Sequence, residues 1–332
     1  MKISELQEGL NAQNLECYIG AVSEKVTKKG GTYVNVTFKD ETGEISANIW
    51  DTSAADFGFP VDTVVKISGT VSSFAGKLQI NVTTTLLCDR ALSSFFRSSE
   101  FNIANMHLTL KEQFIDTIQN PVIKFLLNEL VTGNTFREQF CKAPAAKGVH
   151  HAWIGGLLEH VLGMCNIAKT VYENHYKLYF PTLDMEKVYF GCIMHDWGKI
   201  YEYSYNTPNI GYTKAGALQH HMGIVAEMMT RLTVKFENTF EASKAELSAH
   251  RDTVRELVHI IYSHHGKPEW GSMVRPATAE ALFVHLVDYM DGNMIHMREC
   301  IKDRIDGDIP GMSKKSWVHQ SQYLFLPEEK PF

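Results

Sequence analysis

At 332 residues, 44% hydrophobic and 21% charged, the chain exceeds one ordinary domain and has the composition of a folded globular protein, which excludes a disordered or fibrous one. A net charge of −6 excludes bulk attraction to a polyanion, so any nucleic-acid binding must come from local patches and stacking. Six scattered cysteines without a CxxC pair argue against zinc ribbons and disulfide frameworks, and no signal-peptide core or run of ~18 apolar residues is found, so a cytoplasmic protein without a membrane partner is expected.

Residues 1–90 read as β structure. ECYIGAVSEKVT, TYVNVTFKD, GEISANIWD, DTVVKISGTVSSF and KLQINVTTTLL alternate apolar and polar residues, with turn signals at Lys29-Gly30-Gly31, Asp40-Glu41-Thr42-Gly43 and Ala75-Gly76. Five short strands at this spacing suit a small closed barrel, and FKDETGEISANIWD resembles the strand-turn-strand of OB-folds that bind nucleic acid. The period of two sends Val34, Val36, Phe38, Ile45, Ala47 and Ile49 inward, leaving Tyr33, Asn35, Ser46, Asn48 and Trp50 outside. Aromatics flanked by amides suit a single-strand platform, each stacked base being worth roughly 1–3 kcal/mol. Lys25, Lys28 and Lys29 would add phosphate contacts, although the segment as a whole is not basic. The alternative is that Tyr33 or Trp50 packs against the following domain.

Residues 91–150 read as a helical connector interrupted at Pro121, with no evident chemistry, ending in the loop KAPAAKGVHH. An all-α domain is expected over 151–302. The tail, 303–332, carries Trp317, Tyr323, Phe325 and Pro327, enough apolar groups to dock on its own domain or on another subunit of a homo-oligomer.

Thirteen of the fifteen histidines lie between His150 and His296. Five helices can be phased by their apolar stripes. His160 sits at the edge of the first stripe, where it could also be ordinary helix surface. The second helix, Met185 to Lys199, is apolar nearly all round and carries His195-Asp196; a buried Asp196 costs several kcal/mol of desolvation unless it has a partner, and a metal ion is one solution. On the third helix, Leu218, Met222, Val225 and Met229 define the buried stripe, which selects His221 over His220. The fourth ends at His264-His265-Gly266, where both histidines stay candidates. The fifth carries Phe283, Leu286, Val287, Met290, Met294, Met297 and Ile301 on its main stripe; Asp288 lies opposite with Ala281, Val284 and Ile295, either buried and in need of a partner or solvated with Asp291. Imidazoles and carboxylates without thiolates suit Mn, Fe, Co, Ni or Zn. Seven candidates (His160, His195, Asp196, His221, His264, His265 and Asp288) exceed the needs of one ion, so two divalent ions bridged by Asp196 are expected, with Lys199 neutralising a phosphate oxygen.

The ordered set H…HD…D resembles the HD-domain phosphohydrolases. VHHAWIGGLLEHVLG, HDWGKIYEYSY, SHHGKPEWGSMVRP and EALFVHLVDYMD are similar to the YhaM family of 3′-to-5′ exoribonucleases, which also carry an N-terminal OB-fold. The resemblance covers nearly the whole chain. It implies that His160, His195, Asp196 and Asp288 hold one ion, that His221 with His264 and His265 completes a second, that Mn²⁺ serves best, and that RNA or single-stranded DNA is degraded to nucleoside 5′-monophosphates. Two departures stand near the site: Trp197 where a small aliphatic residue is usual, and Gln219-His220 where a glycine is. Competing functions are hydrolysis of a small nucleotide, for which the barrel has no use, and nucleic-acid binding around a structural metal.

Overall fold

The computed structural model describes residues 1–27, 30–74, 76–240, 243–302, 309, 311–313, 316 and 322–326. Lys28, Lys29, Trp317 and Pro327 lie outside them. The chain divides into two compact units, residues 1–97 with 205–210, and residues 98–204 with 211–332. No helix among the described residues is long and apolar enough to cross a membrane.

In the first unit, strands β1 (Asn11–Val26), β2 (Thr32–Asp40), β3 (Gly43–Trp50), β4 (Val64–Phe74) and β5 (Lys77–Leu87) close a barrel in the order β1-β2-β3-β5-β4, with the short helix α1 (Ala54–Phe57) between β3 and β4. Closure leaves no long unpaired edge. The inward set follows the period of two: Val34, Val36, Phe38, Ile45 and Ala47 are buried, Ile49 packs against them, and Cys17, Ile67 and Ile80 complete the core. Each fully buried large aliphatic or Phe side chain contributes roughly 1.5–3 kcal/mol. The β2–β3 turn is built by Asp40, whose Oδ1 accepts from the amides of Thr42 (2.7 Å) and Gly43 (3.0 Å) while Oδ2 accepts from that of Ile3 (2.8 Å). Gly69 lies where the β4–β5 register shifts, and a Cβ there would meet the Asn81 carbonyl oxygen at 2.3 Å. Asn209 donates to Asp62 Oδ1 at 2.9 Å, tying residues 205–210 into this unit.

The second unit is helical: α2 (Ile103–Leu110), α3 (Pro121–Leu127), α4 (Arg137–Lys142), α5 (Gly156–Asn174), α6 (Met185–Met194), α7 (Lys199–Glu202), α8 (Lys214–Thr239), α9 (Lys244–Ser263) and α10 (Ala279–Lys302), with a small ladder of β6 (Tyr203–Ser204) and β7 (Gly211–Tyr212) between α7 and α8. Pro121 opens α3 at its first turn, where no amide is needed, behind Asn120, whose side chain accepts from Val122 and Ile123. Val122, Ile123, Leu126 and Leu127 are fully buried, and α3 packs on α6, α8 and α9. Residues 98–150 therefore belong to the body of the helical unit. Glu186 of α6 strengthens the join by accepting from the amides of Gln119 (2.8 Å) and Asn120 (2.9 Å).

Helix α6 is central, with Val188, Phe190, Cys192, Ile193 and Met194 fully buried. It stops at Met194, so His195 caps it and Asp196 lies in the following turn, rather than inside a helix running to Lys199. Two expected stripes differ. In α8 Leu218 is exposed, because non-helical backbone at His220 (φ 59°, ψ 160°) breaks the phase; Met222, Val225 and Met229 beyond it are buried. In α10 Ala281, Val284, Asp291 and Gly292 face inward with Phe283 and Val287, while Leu286, Met290 and Met294 are exposed. The carboxylates set that rotation by pairing with His160. In the tail Leu324 and Leu326 are buried, Phe325 is exposed and bridges Met312, and Ser316 hydrogen-bonds His296 of α10 at 3.0 Å.

Candidate metal centre and nucleic-acid face

Four helices bring imidazoles to one point and a fifth brings Asp288; the rings of His160, His195, His221 and His264 are each oriented by a partner on the far side. At the end of α6, His195 Nδ1 donates to the Cys192 carbonyl (3.0 Å), and at the end of α9, His264 Nδ1 donates to that of Ile261 (2.6 Å). A carbonyl can only accept, so the proton sits on Nδ1 and the Nε2 of the neutral ring presents a lone pair. On α8, His221 Nδ1 bonds Glu202 Oε2 (2.8 Å); on α5, His160 Nδ1 bonds Asp291 Oδ2 (2.7 Å). A carbonyl or carboxylate behind each of these four rings is the arrangement that fixes metal-ligating histidines.

The inward atoms lie within a few ångströms of one another. His160 Nε2 is 3.3 Å from His195 Nε2 and 3.2 Å from Asp288 Oδ1. Asp196 Oδ2 is 3.2 Å from His195 Nε2, and its Oδ1 is 3.4 Å from His221 Nε2 and 3.8 Å from His264 Nε2. Asp196 Oδ1, His221 Nε2, His264 Nε2 and His265 Nδ1 are buried without a hydrogen-bond partner. Lone-pair atoms left unsatisfied inside a protein are destabilising unless something cationic occupies the space between them. The donors group as His160, His195 and Asp288, and as His221, His264 and His265, with Asp196 touching both sets. Nitrogen and carboxylate donors without thiolate fit a borderline to hard divalent ion.

The charges fit this donor set. Burial holds His221 and His264 well below the ordinary histidine range, so both are neutral and ready to ligate. Burial works against charge on His160 as well, yet its hydrogen bonds to Asp288 and Asp291 raise it to about 10. Asp196 opposes its own burial through Lys199 and His195, which keep its carboxyl well below the usual range. Lys199 Nζ sits 2.6 Å from Asp196 Oδ2 and is itself buried. Removing one partner of such a pair typically costs about 3–5 kcal/mol.

Backbone geometry delivers His221. Gly198, in the turn between Asp196 and α7, lies so close to α8 that a Cβ would meet the His221 carbonyl oxygen at 2.2 Å. The kink at His220 turns the exposed His220 outward and His221 inward, so His221 is the ligand candidate, for a different reason from regular helix phase. Gly266 (φ 81°) ends the His264-His265 turn; a Cβ there would meet the His285 ring at 2.3 Å, and His285 Nδ1 donates to the His264 carbonyl at 2.7 Å.

Trp197 points away from the centre. Its indole is fully buried, donates from Nε1 to the Leu130 carbonyl (2.9 Å) and meets Phe136 and Tyr201 edge-on. That carbonyl lies in a π-helical turn, Asn128–Thr132, whose last oxygens lack helical donors. Trp197 is thus a structural anchor that ties the turn Asn128–Thr132 into the helical body.

Four groups around the centre are missing from the sequence expectations. Asp291, buried one turn beyond Asp288, pairs with His160 and is not a solvated partner of Asp288. Glu202 stands three residues after Lys199, and burial next to Asp196 pushes it up to about 7. His150 and His151, just before α5, lie 5.1 and 5.3 Å ring to ring from His160. The clue for the last two is the doubled histidine of VHHAW, which reads as loop when only helices are phased.

In the barrel, cross-strand register places Lys25 opposite Tyr33 and Tyr33 opposite Trp50; the next row is Ser23, Asn35 and Asn48. Tyr33 and Trp50 lie 4.7 Å apart, with Trp50 exposed, and Asn35 Nδ2 donates to Asn48 Oδ1 at 2.8 Å. The predicted outer face is therefore one continuous strip of aromatics and amides.

Residues 157–293 match the HD domain family, and residues 19–85 match the family described as OB-fold nucleic acid binding domain. Over 292 residues the chain is 32% identical to the 3′-5′ exoribonuclease YhaM of Shouchella clausii (strain KSM-K16), spanning 86% of this chain and 85% of that one. Among solved structures, a domain of replication protein A from Methanococcus maripaludis is 26% identical, covering 27% of this chain and 96% of its own, with a TM-score of 0.24. A solution structure of the second OB-fold domain of that protein gives 27% identity over the same shares and a TM-score of 0.23.

Proposed function

The chain belongs to the YhaM family of 3′-5′ exoribonucleases, and from that premise we propose that it degrades single-stranded RNA, and single-stranded DNA by the same chemistry, from the 3′ end with two divalent ions, Mn²⁺ serving best. The observation that carries the reading is the convergence of Asp196 Oδ1, His221 Nε2, His264 Nε2 and His265 Nδ1, all buried and without partners. His160, His195, Asp196 and Asp288 would hold one ion and His221, His264 and His265 the other, Asp196 lying within reach of both donor sets. Bound there, such ions polarise a phosphate and acidify water into a nucleophile at neutral pH.

The protein's own groups do the rest. Glu202, Asp291 and the two backbone carbonyls hold the rings in the ligating tautomer. Lys199, fixed on Asp196, keeps positive charge where a phosphate oxygen gains negative charge during reaction. Water adds to the terminal phosphorus, the bond from phosphorus to the preceding O3′ breaks, and that oxygen leaves with a proton. The products are a nucleoside 5′-monophosphate and a strand one residue shorter. The strip of Tyr33, Trp50, Asn35 and Asn48 supports a strand as substrate over a mononucleotide, which has no use for it. We place the enzyme in the cytoplasm, where such strands occur.

The test is incubation of purified protein, with bound metal quantified, and 5′-labelled single-stranded RNA in Mn²⁺. A ladder shortening from the 3′ end is expected. Metal-loaded protein that leaves the RNA intact, or cuts only internally, refutes the reading.

A further inference from the structure

SHHGKPEWGSMVRP contains more than ligands, and its Lys267-Pro268-Glu269-Trp270 has no part in the chemistry above. A cavity of about 570 Å³ is lined by His264, His265 and Asp288 and equally by Trp270, Tyr289 and His285. That volume is in the range of pockets for small ligands. Trp270 and Tyr289 lie nearly parallel, 9° apart with ring centroids at 5.7 Å, and are 42% and 46% exposed. The two rings stack on each other and leave about half of their surface to solvent, a flat ledge on which a further π-face can stack. Lys267 Nζ stands 4.5 Å from the centre of the Trp270 ring.

The shelf is rigid. Trp270 closes a single turn, Pro268–Trp270, followed by Gly271 at φ 92°. The Tyr262 carbonyl then accepts from Ser272 Oγ (3.0 Å) and from the Met273 amide (2.9 Å), clamping the loop to α9. Tyr289 follows Asp288 directly on α10, and His285, one turn earlier, is fixed on the His264 carbonyl. The aromatics are thus held by the same two helices that supply His264 and Asp288.

Resting on the exonuclease reading, we propose that Trp270 and Tyr289 form the stacking shelf for the 3′-terminal bases of the substrate, with Lys267 facing their phosphates. The shelf recognises the π-face that every base has, so it binds a strand end without choosing its sequence. Glu269 lines the cavity and repels phosphate from its own side, whereas Lys267, over the Trp270 ring, offers the nearby positive charge. The stacking partners are positioning residues; they touch bases and take no part in bond breaking.

The probe is a short oligoadenylate and its counterpart lacking the two 3′-terminal bases. Trp270→Ala should raise KM for oligoadenylate on the order of tenfold or more with kcat nearly unchanged, Trp270→Phe should recover most of the loss, and Tyr289→Ala should behave as Trp270→Ala. The abasic end should bring wild type down to the Trp270→Ala level and make no further difference to the variant. An unchanged KM in Trp270→Ala, or equal losses on normal and abasic ends, overturns the shelf. Should wild-type protein with metal bound cleave neither probe, the exonuclease reading fails; equilibrium binding of the two probes to wild type and Trp270→Ala then decides the shelf alone. It survives if wild type prefers the base-bearing end and the variant does not, and falls if the two proteins bind alike.

Discussion

Replacing His220 by glycine should leave the protein more stable than replacing it by alanine. His220 holds φ 59° and ψ 160° inside α8, a region that is essentially open only to glycine and costs a side-chain-bearing residue roughly 1–3 kcal/mol. Glycine removes that strain but gives back roughly 0.5–1 kcal/mol through the extra freedom of its unfolded chain. Both replacements lose the 3.4 Å contact of His220 with Glu202, which is worth about 0–1 kcal/mol because the His220 side chain is 53% exposed. The contact therefore cancels in the comparison, leaving glycine ahead of alanine by about 0–2.5 kcal/mol. In an ordinary helix interior the order is reversed, with alanine ahead by ~1 kcal/mol. Urea denaturation of metal-free protein, followed by circular dichroism at the helix band, measures the difference without metal linkage. Alanine ahead of glycine, the order of an ordinary helix, would mean that the kink is not strained, and the account of how α8 delivers His221 would fail.

Asp196→Asn should abolish cleavage while leaving RNA binding by the barrel intact, read by a nuclease assay beside equilibrium binding; full activity would remove Asp196 from the chemistry. Glu202→Ala frees His221 Nδ1 and should weaken metal affinity about 10- to 100-fold, with activity restored by added metal, as followed by competition with a chelating indicator. His160, at about 10, carries a proton at pH 7 in metal-free protein, and ligation must displace it. Metal affinity should accordingly rise with pH up to that value, and adding Mn²⁺ to weakly buffered protein at pH 7 should release acid; no proton release refutes the assignment.

The barrel was open to reading from sequence because the period of two determines both its strands and its faces: the residues assigned inward from Val34 to Ala47 are the buried ones. The inward direction of His160 was open for a related reason, since it rides α5 beside a buried apolar face, and His195 follows a helix that is buried nearly all round. Phasing failed where the helix itself is not regular, at His220, and where polar pairing outweighs hydrophobic pattern, on α10, where Asp288 and Asp291 turn inward and Met290 and Met294 turn out. What escaped were the groups behind the ligands. Glu202 and Asp291 act on a ring from another helix, and no local spacing announces such a pairing.

The enclosure of Trp197 has a use outside the chemistry. Of the five tryptophans, Trp197 and Trp153 are buried while Trp50 and Trp270 stand in solvent, and Trp197 is the immediate neighbour of Asp196. An indole in apolar surroundings emits at shorter wavelength and is shielded from dissolved quenchers. The protein therefore carries its own optical labels: a shielded blue signal beside the centre that lasts only while the helical body is packed, and quenchable red signals on the barrel and at the cavity.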